Sequence, residues 1–408
     1  MNKWKKYRLK DLCVINKESI KNEHVFKQIE YVDISSVGTG ILFGSTIMNI
    51  ENAPSRAKRI VKKGDTILST VRPNRRSFYF FKEANPNLVV STGFAVLTPK
   101  QNVNNKFLYY LINDKNLSEY FANSAKGSAY PAIDTEIVEN AEVKAPDIDS
   151  QTKITSILSA YDDLIENNLR RIQILEEMAQ SIYKEWFVKF RFPGYENAKF
   201  VDSAMGKIPE GWEVGSIGCL YKVKSGFAFK SKDFRSVGEN PVIKIKNIQN
   251  KFIDLKSCEY INKENSFSVK DYILKEGDLL IAMTGAQVGK IGIMPYDNRN
   301  CYLNQRVGKF FPKFDFLRNN MFIYFFAISD EFRNRIDNIA AGAAQPNISG
   351  SGIESISILI PTINLLKLFT EAMQNYIDQI LILQRSNNNL SSTRDLLLPK
   401  LMSGEVEV

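Results

Sequence analysis

The sequence predicts an α+β fold in which two domains of mixed α/β structure alternate with two long helices that pair with each other. The main observation is an internal repeat, because the interval between Pro146 and Pro361 is the same as that between Leu175 and Leu390. A solenoid repeat would have a period of roughly 20 to 50 residues, so each copy is long enough to be a domain. The length agrees, since 408 residues exceed the roughly 250 to 300 at which one hydrophobic core stops growing.

The repeat divides the chain into four parts. The first domain covers 1–148, the first long helix 149–190, the second domain 191–362, and the second long helix with a short tail 363–408. Inside the domains, runs rich in Val, Ile and aromatic residues and bounded by Gly, Pro or Asn predict strands. These runs are 28–34, 66–70 and 89–97 in the first copy and 242–248, 278–284 and 290–294 in the second. A helix-like stretch follows the strands in each copy, at 106–122 and 320–339.

Each long helix carries a heptad pattern, with apolar residues at alternating steps of three and four. The first seam is Ile154, Leu158, Tyr161, Ile165, Asn168, Ile172, Leu175, Ala179, Ile182 and Trp186. The second, displaced by the repeat interval, is Phe369, Met373, Tyr376, Ile380, Leu383, Asn387, Leu390, Arg394, Leu397 and Leu401. Two helices with matching apolar stripes in one chain are expected to bury those stripes against each other.

The polar residues in the seams indicate the direction of pairing. Asn168 occupies a d-type position, and Asn387 is equivalent to position 172, which is a-type. An antiparallel pair related by a pseudo-twofold axis near residue 170 would bring the two amides into one layer, where they could hydrogen-bond. The alternative is that both amides face solvent where the helices splay apart. Arg394 leaves the packing at its end of the second helix open.

Composition narrows the classes of function. The net charge of +9 and the sequence pI of about 9.1 favour an anionic partner such as nucleic acid. With four dispersed cysteines and His24 as the single histidine, the usual zinc-site spacings are missing. The sequence lacks a run of about 18 apolar residues and a signal-peptide pattern, so a cytoplasmic protein without a membrane partner is expected.

Motifs for catalysis are weak. The segment Thr284-Gly-Ala-Gln-Val-Gly-Lys290 has three residues between its glycines where a phosphate-binding loop has four, and Ile291 follows the lysine. An amino-methyltransferase would carry two adjacent prolines after Asn or Asp, and none of the 14 prolines are adjacent. Asp134 with Glu142-Val-Lys144 loosely matches a nuclease motif, but the second copy lacks it. We therefore expect no catalytic residues and no metal site in this chain.

Basic and amide side chains cluster after the Gly-Asp strand of each copy. Arg, Asn and Gln recognise base edges, whereas Lys, Ser and backbone amides hold phosphates, so these loops are candidate DNA contacts; a solvated surface loop is the alternative. The candidates include residues of the Gly-to-Ile segments at 127–133 and 342–348. They are Thr70, Arg72, Asn74, Arg75, Arg76, Ser128 and Tyr130 in the first copy, and Thr284, Gln287, Lys290, Asn304, Gln305, Arg306, Gln345 and Asn347 in the second.

These features together resemble the specificity subunit of a type I restriction-modification system. The resemblance spans essentially the whole chain. Its motifs are Trp212-Glu-Val, Lys275-Glu-Gly-Asp-Leu-Leu280, Tyr302-Leu-Asn-Gln-Arg-Val307 and Gly342-Ala-Ala-Gln-Pro-Asn-Ile348, with counterparts at Gly64-Asp65 and Gly127-Ser-Ala-Tyr-Pro131. The combination with two repeat helices is more specific than any single motif.

The resemblance implies a role and a set of partners. Each domain would be a target recognition domain that reads one half of a bipartite sequence in double-stranded DNA, with the coiled coil as a ruler for the unread spacer. Two modification subunits would dock on the helices and supply S-adenosylmethionine chemistry, and restriction subunits would add ATP- and Mg-dependent functions. The chain itself would bind no cofactor. Two other classes remain open: a free-standing nuclease or methyltransferase, and a coiled-coil scaffold that does not bind DNA.

Overall fold

The computed structural model describes residues 4–21, 26–128, 130–249, 251–262, 267–340 and 346–408. The chain divides into two units. Unit 1 comprises Met1–Ile165 and Asn389–Val408, and unit 2 comprises Glu166–Asn388. Each unit therefore contains one α/β domain together with one half of each long helix. The predicted α+β class with two long helices is confirmed.

In domain one, the α/β part of unit 1, the described residues form ten strands and four short helices. The strands are β1 Lys5–Arg8, β2 Cys13–Ile15, β3 Gln28–Val32, β4 Thr46–Asn49, β5 Ala57–Ile60, β6 Thr66–Ser69, β7 Phe78–Phe80, β8 Leu88–Ser91, β9 Phe94–Pro99 and β10 Glu142–Ala145. The helices are α1 Leu9–Leu12, α2 Asn105–Ile112, α3 Lys115–Asn123 and α4 Thr135–Asn140, and 3-10 turns cover Ile34–Ser36, Ile50–Asn52 and Pro73–Arg75. The strands form sheets in the orders β2-β9-β6-β7 and β4-β3-β8-β5, and β1 pairs with β10.

The first long helix, α5 Ile148–Tyr183, ends in a π-helical turn at Lys184–Val188. Domain two, the α/β part of unit 2, follows it. Its strands are β11 Phe200–Ser203, β12 Gly206–Pro209, β13 Glu213–Ser216, β14 Tyr221–Ser225, β15 Phe234–Arg235, β16 Asn240–Ile243, β17 Ile248–Gln249, β18 Lys251–Ile253, β19 Glu259–Ile261, β20 Leu279–Ala282, β21 Ile291–Ile293, β22 Tyr302–Leu303, β23 Val307–Pro312 and β24 Ser357–Ile360. Its helices are α6 Ile217–Leu220, α7 Met321–Ala327, α8 Asp330–Ala340 and α9 Gly350–Glu354, before the second long helix α10 Ile363–Ser403. The 3-10 turns of unit 2 are Tyr195–Asn197, Ser231–Asp233, Ile245–Asn247, Phe267–Tyr272, Gly285–Gln287 and Asp315–Leu317.

The two domains share a core of strand pairings, although the main sheet of domain two continues with β18 and β17. In domain one, β2-β9-β6-β7 is antiparallel throughout, and β3 runs parallel to β8. In domain two, β14-β23-β20-β21 is the matching antiparallel run, and β16 runs parallel to β22. The first strand also pairs with the last in each, β1 with β10 and β13 with β24. The sequence repeat is therefore a repeat of topology.

The repeated Gly-Asp motif is a turn that starts the central strand. Asp65 Oδ2 accepts a hydrogen bond from Lys62 N at 2.8 Å, and Asp278 Oδ2 accepts one from Lys275 N at 2.7 Å. The preceding glycines have φ of 89° at Gly64 and 84° at Gly277, which a side chain would disfavour. This motif occurs in both copies because it closes the same turn before β6 and β20.

The stretches predicted as helix-like at 106–122 and 320–339 are helical, and each forms two helices. In domain one, Asp114 interrupts the run: its side chain accepts a hydrogen bond from Leu117 N at 3.1 Å and so caps a new helix. In domain two, Ser329 acts in a similar way by accepting from Phe332 N at 3.2 Å. Apolar periodicity alone did not reveal these breaks.

The long helices pair antiparallel. In unit 2, Ile172 of α5 packs with Ile380 and Leu383 of α10, and in the π-helical turn after α5 the Phe187 ring lies 4.8 Å from the ring of Phe369. Rising residue numbers on one helix therefore meet falling numbers on the other. In unit 1, Leu158 lies in one buried cluster with residues from the end of α10.

The predicted contact between the two asparagines is confirmed. Asn168 Nδ2 donates a hydrogen bond to Asn387 Oδ1 at 2.9 Å, and each residue is only 8% exposed. The alternative, with both amides in solvent, is wrong. A buried amide pair of this kind favours one register, since shifting either helix would leave an amide without its partner.

The predicted seam residues are buried or half-buried, and at three positions the next residue along the helix is buried more deeply. The predicted positions Ile182, Tyr376 and Leu397 are half-buried. Their neighbours Tyr183, Ile377 and Leu398 are 8%, 4% and 7% exposed and lie deeper. An ideal α-helix drifts relative to a strict heptad, so side chains beyond the seam reach the domain cores. The remaining predicted members, Leu158, Tyr161, Ile165, Ile172, Leu175, Trp186, Ile380, Leu383 and Leu390, are also buried or half-buried.

Arg394 is accommodated in the seam by a trio of polar residues in unit 1. Its Nη1 donates to Asp162 Oδ1 at 2.6 Å, and Asp162 Oδ2 accepts a hydrogen bond from the Tyr110 hydroxyl at 2.5 Å. Burial disfavours the charged arginine, but its bonds to Asp162 and Asp395 outweigh this and raise its pKa. Burial, reinforced by the charge of Asp162, also raises the pKa of Tyr110.

The positions equivalent to this polar trio in the other copy of the repeat carry an apolar trio. Phe325, Ile377 and Ala179 correspond to Tyr110, Asp162 and Arg394. All three lie in one apolar cluster of unit 2, at 3%, 4% and 1% exposure. The two copies therefore fill equivalent positions with different side chains, which are polar in unit 1 and apolar in unit 2. All three positions differ between the copies.

Two absences apply to the described residues only. Within them, no helix combines the length and apolarity needed to cross a membrane. Nor does that part of the chain bring together three or more His, Cys, Asp or Glu side chains in an arrangement that could hold a metal ion.

We predict that Asp162→Ile destabilises unit 1, because Arg394 and Tyr110 would keep their polar groups without the carboxylate. The loss should be about 2 kcal/mol, since the pair is only partly buried. The triple variant Tyr110→Phe, Asp162→Ile, Arg394→Ala carries the apolar trio of the other copy and should recover most of that loss. Urea unfolding followed by tryptophan fluorescence and circular dichroism measures both. A triple variant as unstable as Asp162→Ile alone would contradict the equivalence of the two trios.

Candidate DNA interface

The candidate interface of each domain begins where the central strand ends. In domain one, residues 70–77 connect β6 to β7, and in domain two, residues 283–290 connect β20 to β21. We call these segments the strand-end loops. The Gly-Asp turn stands at the other end of each central strand, so the loops of both domains leave the sheet at the corresponding edge.

A second segment holds each strand-end loop by backbone hydrogen bonds. In domain one, Ile133 N donates to Thr70 O at 2.9 Å and Arg72 N donates to Pro131 O at 2.7 Å. The corresponding bonds of domain two run from Ile348 N to Met283 O at 2.9 Å and from Gly285 N to Pro346 O at 2.8 Å. The repeated Pro-x-Ile motif therefore builds one backbone frame twice. Because Arg72 N and Gly285 N donate the equivalent bonds, Arg72 and Gly285 occupy equivalent positions in the two domains.

In domain one, this frame presents Arg72 in a strained conformation. Its backbone lies in the left-handed region at φ 51° and ψ 57°. Its guanidinium carbon lies 4.5 Å from the centroid of the Tyr130 ring, which is 71% exposed. Stacking on an aromatic ring fixes the plane of the guanidinium. Asn74, Arg75 and Ser128 are exposed beside this pair.

Two predicted contacts of domain one serve the loop itself. Thr70 is 8% exposed, and its hydroxyl donates to Gly93 O at 2.9 Å. Arg76 Nη2 donates to Asn113 O at 2.7 Å and to Asn113 Oδ1 at 2.9 Å. Thr70, predicted as a DNA contact, is thus buried and engaged within the domain. Arg76 uses its guanidinium to tie the loop to the end of α2.

In domain two, Gly285 stands where Arg72 stands in domain one, so the space beside this position is open. Gly285 has φ of 75°, so it adopts the left-handed conformation without the cost that Arg72 bears. A cleft of about 500 Å³ lies at this point, lined by Ile245, Thr284, Gly285, Ala286, Arg306, Pro346 and Asn347. Arg306 and Asn347 are exposed, and Thr284 is half-buried.

The other predicted residues of domain two fall into three groups. Gln305 is exposed, and the half-buried Lys290 and Gln287 contact each other, with Lys290 Nζ 3.4 Å from Gln287 Oε1. Asn304, also predicted as a DNA contact, is 7% exposed, and its Oδ1 accepts a hydrogen bond from Arg306 N at 3.2 Å. Gln345 lies outside the described residues.

Apolar residues also lie at these edges, and the pattern of polar residues in the sequence does not predict them. Phe227 of domain two is 36% exposed. Its backbone O accepts a hydrogen bond at 2.9 Å from the N of Gln305, the residue before Arg306 of the cleft. In domain one, Ile41 and Phe43 are 54% and 65% exposed on a hairpin that contacts the start of β7. The glycine pair Gly38-Thr-Gly40 between apolar residues was the signal available for this hairpin.

Fold and site together define a class of protein. One backbone frame occurs twice in the chain and carries different basic and amide side chains at its open edge. Such side chains on a constant frame are suited to reading base edges, with a chosen sequence at each frame. The class is therefore that of sequence-reading DNA-binding proteins with two recognition domains and a paired-helix connector.

Comparison with known proteins agrees with this class. The family described as "Type I restriction modification DNA specificity domain" matches residues 1–177 and 209–392. The chain is 29% identical over 362 residues to the type I restriction enzyme MjaIX specificity subunit of Methanocaldococcus jannaschii, covering 86% of this chain and 79% of the relative. It is 24% identical to the HindI specificity subunit of Haemophilus influenzae, covering 100% of both. A solved S subunit from M. genitalium aligns with a TM-score of 0.57 at 14% identity, covering 98% of this chain and 96% of that one, which supports the fold.

Because the family matches most of the chain in two blocks, the chain belongs to the type I restriction-modification DNA specificity family.

We predict that Arg72→Gly is more stable than Arg72→Ala by about 1 kcal/mol, because only the glycine relieves the left-handed strain that alanine would keep. Gly285 occupies the equivalent place in domain two, so the glycine variant uses a residue already found in this frame. Thermal unfolding of the two variants gives the comparison. Equal stability would mean that the frame does not enforce the left-handed conformation at this position.

Proposed function

We propose that this chain reads a bipartite DNA target, with one half-site recognised by each domain. As a member of the specificity family, it is a DNA-recognition subunit of a type I restriction-modification complex. The bipartite assignment rests on the repeat. The observation that carries it is the shared frame, in which Pro131 and Pro346 accept equivalent backbone bonds while Arg72 and Gly285 occupy equivalent places. A frame kept constant under different side chains is suited to two different half-sites.

The exposed and half-buried side chains of each edge are the proposed readers. In domain one these are Arg72, Asn74 and Arg75, with Ser128 and Tyr130 beside them. In domain two they are Gln287, Lys290, Gln305, Arg306 and Asn347, with Thr284 in the cleft. Arginine pairs bidentately with guanine and asparagine or glutamine with adenine, whereas lysine and serine suit phosphate oxygens. The net charge of +9 supports binding to an anionic duplex.

The helix pair is proposed as the ruler between half-sites and as the docking site for two modification subunits. A helix of 36 residues, the length of α5, extends about 54 Å, which exceeds one DNA turn of roughly 34 Å. Modification subunits would bring S-adenosylmethionine and the methylation chemistry, and restriction subunits would bring ATP and Mg²⁺. The complex would act in the cytoplasm.

The test is to express the full chain with its modification subunit and to map methylated adenines. We expect two short defined blocks separated by a fixed unread gap. Replacing residues 191–362 with the corresponding domain of a relative should change one block and leave the other. A matched control replaces residues 1–148 and should change the opposite block. A single contiguous motif would overturn the assignment of one half-site to each domain.

Variants of Gln305 and Lys290 distinguish base contacts from phosphate contacts within domain two. We predict that Gln305→Ala relaxes specificity at one position by roughly 1 to 3 kcal/mol and leaves the other half-site unchanged. Lys290→Ala should weaken all sequences alike and reduce the slope of log affinity against log salt concentration by about one. Affinities for single-base variants at several salt concentrations distinguish the two. If Gln305→Ala weakens all sequences equally, that side chain holds phosphate.

A further inference from the structure

A short hairpin in domain one carries apolar side chains on its outer face. Residues 36–43 fold back on themselves, with Phe43 N donating to Ser36 O and Gly38 N donating to Ile41 O, each at 2.8 Å. Leu42 faces inward and packs against a buried cluster of domain one. Its neighbours Ile41 and Phe43 face outward at 54% and 65% exposure, and Ile47 on the following strand β4 is 72% exposed.

The hairpin is joined to the strand-end loop of domain one. Gly40 N donates to Phe78 O at 2.9 Å, and Phe78 N donates to Gly38 O at 3.0 Å. Phe78 is the first residue of β7 and follows Ser77, the last residue of the loop. The tip of the hairpin therefore adjoins the end of the loop that carries Arg72 and Arg75.

Two glycines hold the hairpin close to the domain. A Cβ atom at Gly40, where φ is 70°, would lie 2.7 Å from the Tyr109 hydroxyl. A Cβ at Gly38 would lie 3.1 Å from Cζ of Phe43, so the Phe43 ring rests on the Gly38 backbone. Phe43 is thus held in one place while most of its surface remains in water. Holding large apolar side chains in water is unfavourable, so a patch of them next to a binding edge suggests a contact.

We propose that Phe43 and Ile41 contact the C5-methyl groups of thymines in the half-site that domain one reads. The inference rests on the proposed function. Thymine is the base that presents an apolar group in the major groove, and phenylalanine is suited to it. The arginine and asparagine of the adjoining loop suit base edges in that same groove, so hairpin and loop would read neighbouring base pairs. The corresponding hairpin of domain two, β17–β18, has Asp254 in the place of Phe43, because Asp254 N donates to Asn247 O as Phe43 N donates to Ser36 O, so the apolar contact belongs to domain one.

The experiment removes one methyl group at a time from the DNA. With the half-site mapped, each thymine on either strand of the half-site and its flanking pairs is replaced by deoxyuridine. Affinity is then measured at constant salt for the full chain with its modification subunit. We expect at least one replacement to weaken the unsubstituted protein roughly fourfold, which is the value of one buried methyl group. Phe43→Ala should lose a similar factor on thymine DNA and no longer respond to that replacement.

The matched control is Val14→Ala, which truncates a side chain that is 39% exposed. Val14 lies on β2 opposite Thr98 of β9, whereas the strand-end loop follows Ser69, which lies opposite Phe94. The control is therefore at the other end of the same sheet and should retain the full response to deoxyuridine. Ile41→Ala provides a second test of the patch if Phe43→Ala is poorly folded.

The outcomes separate this inference from the function on which it rests. If two blocks are mapped but no deoxyuridine replacement matters, or the half-site and its flanks contain no thymine, the methyl contact is wrong and bipartite reading stands. If Phe43→Ala lowers assembly with the modification subunit and keeps the response to deoxyuridine, the face binds protein instead. If domain one specifies no block, the proposed function itself fails.

Discussion

The structure depends on the burial of two apolar helix stripes against each other within one chain. Antiparallel packing of α5 and α10 supplies part of the buried core of each unit, through Leu158 in unit 1 and Ile172 in unit 2. The buried Asn168–Asn387 hydrogen bond restricts this packing to one register. Because each unit contains one half of both helices, the core of each domain depends on a helix pair that the other domain also requires.

A constant frame with variable side chains explains how a duplication becomes useful. The Gly-Asp turn and the Pro-x-Ile segment are main-chain devices, and their hydrogen bonds recur in both copies at nearly equal lengths. Side chains on such a frame can change without altering the backbone that positions them. Domain one uses a strained Arg72 stacked on Tyr130, whereas domain two has Gly285 and a cleft at the equivalent place.

Much of the fold could be predicted from the sequence because its signals are periodic or repeated. The heptad steps and the two asparagines sufficed for the antiparallel register. The candidate interface was predicted less well, since residue type does not give the direction of a side chain. Thr70 points inward because Gly93 O accepts its hydroxyl, and Asn304 is buried where its Oδ1 accepts the amide of Arg306. The break at Asp114 and the outward face of Phe43 likewise depend on contacts formed only after folding.

The two unlike trios bear on how genes for such chains can exchange segments. Tyr110 and Asp162 are encoded within the segment Met1–Ile165, whereas Arg394 is encoded near the end of the chain. A crossover that imports only this first segment would bring a new residue to position 162 opposite an unchanged arginine. Recombinants that inherit an apolar residue there would leave Arg394 with Asp395 alone and without the carboxylate of the facing helix, so the polar trio limits which donors can be recombined successfully.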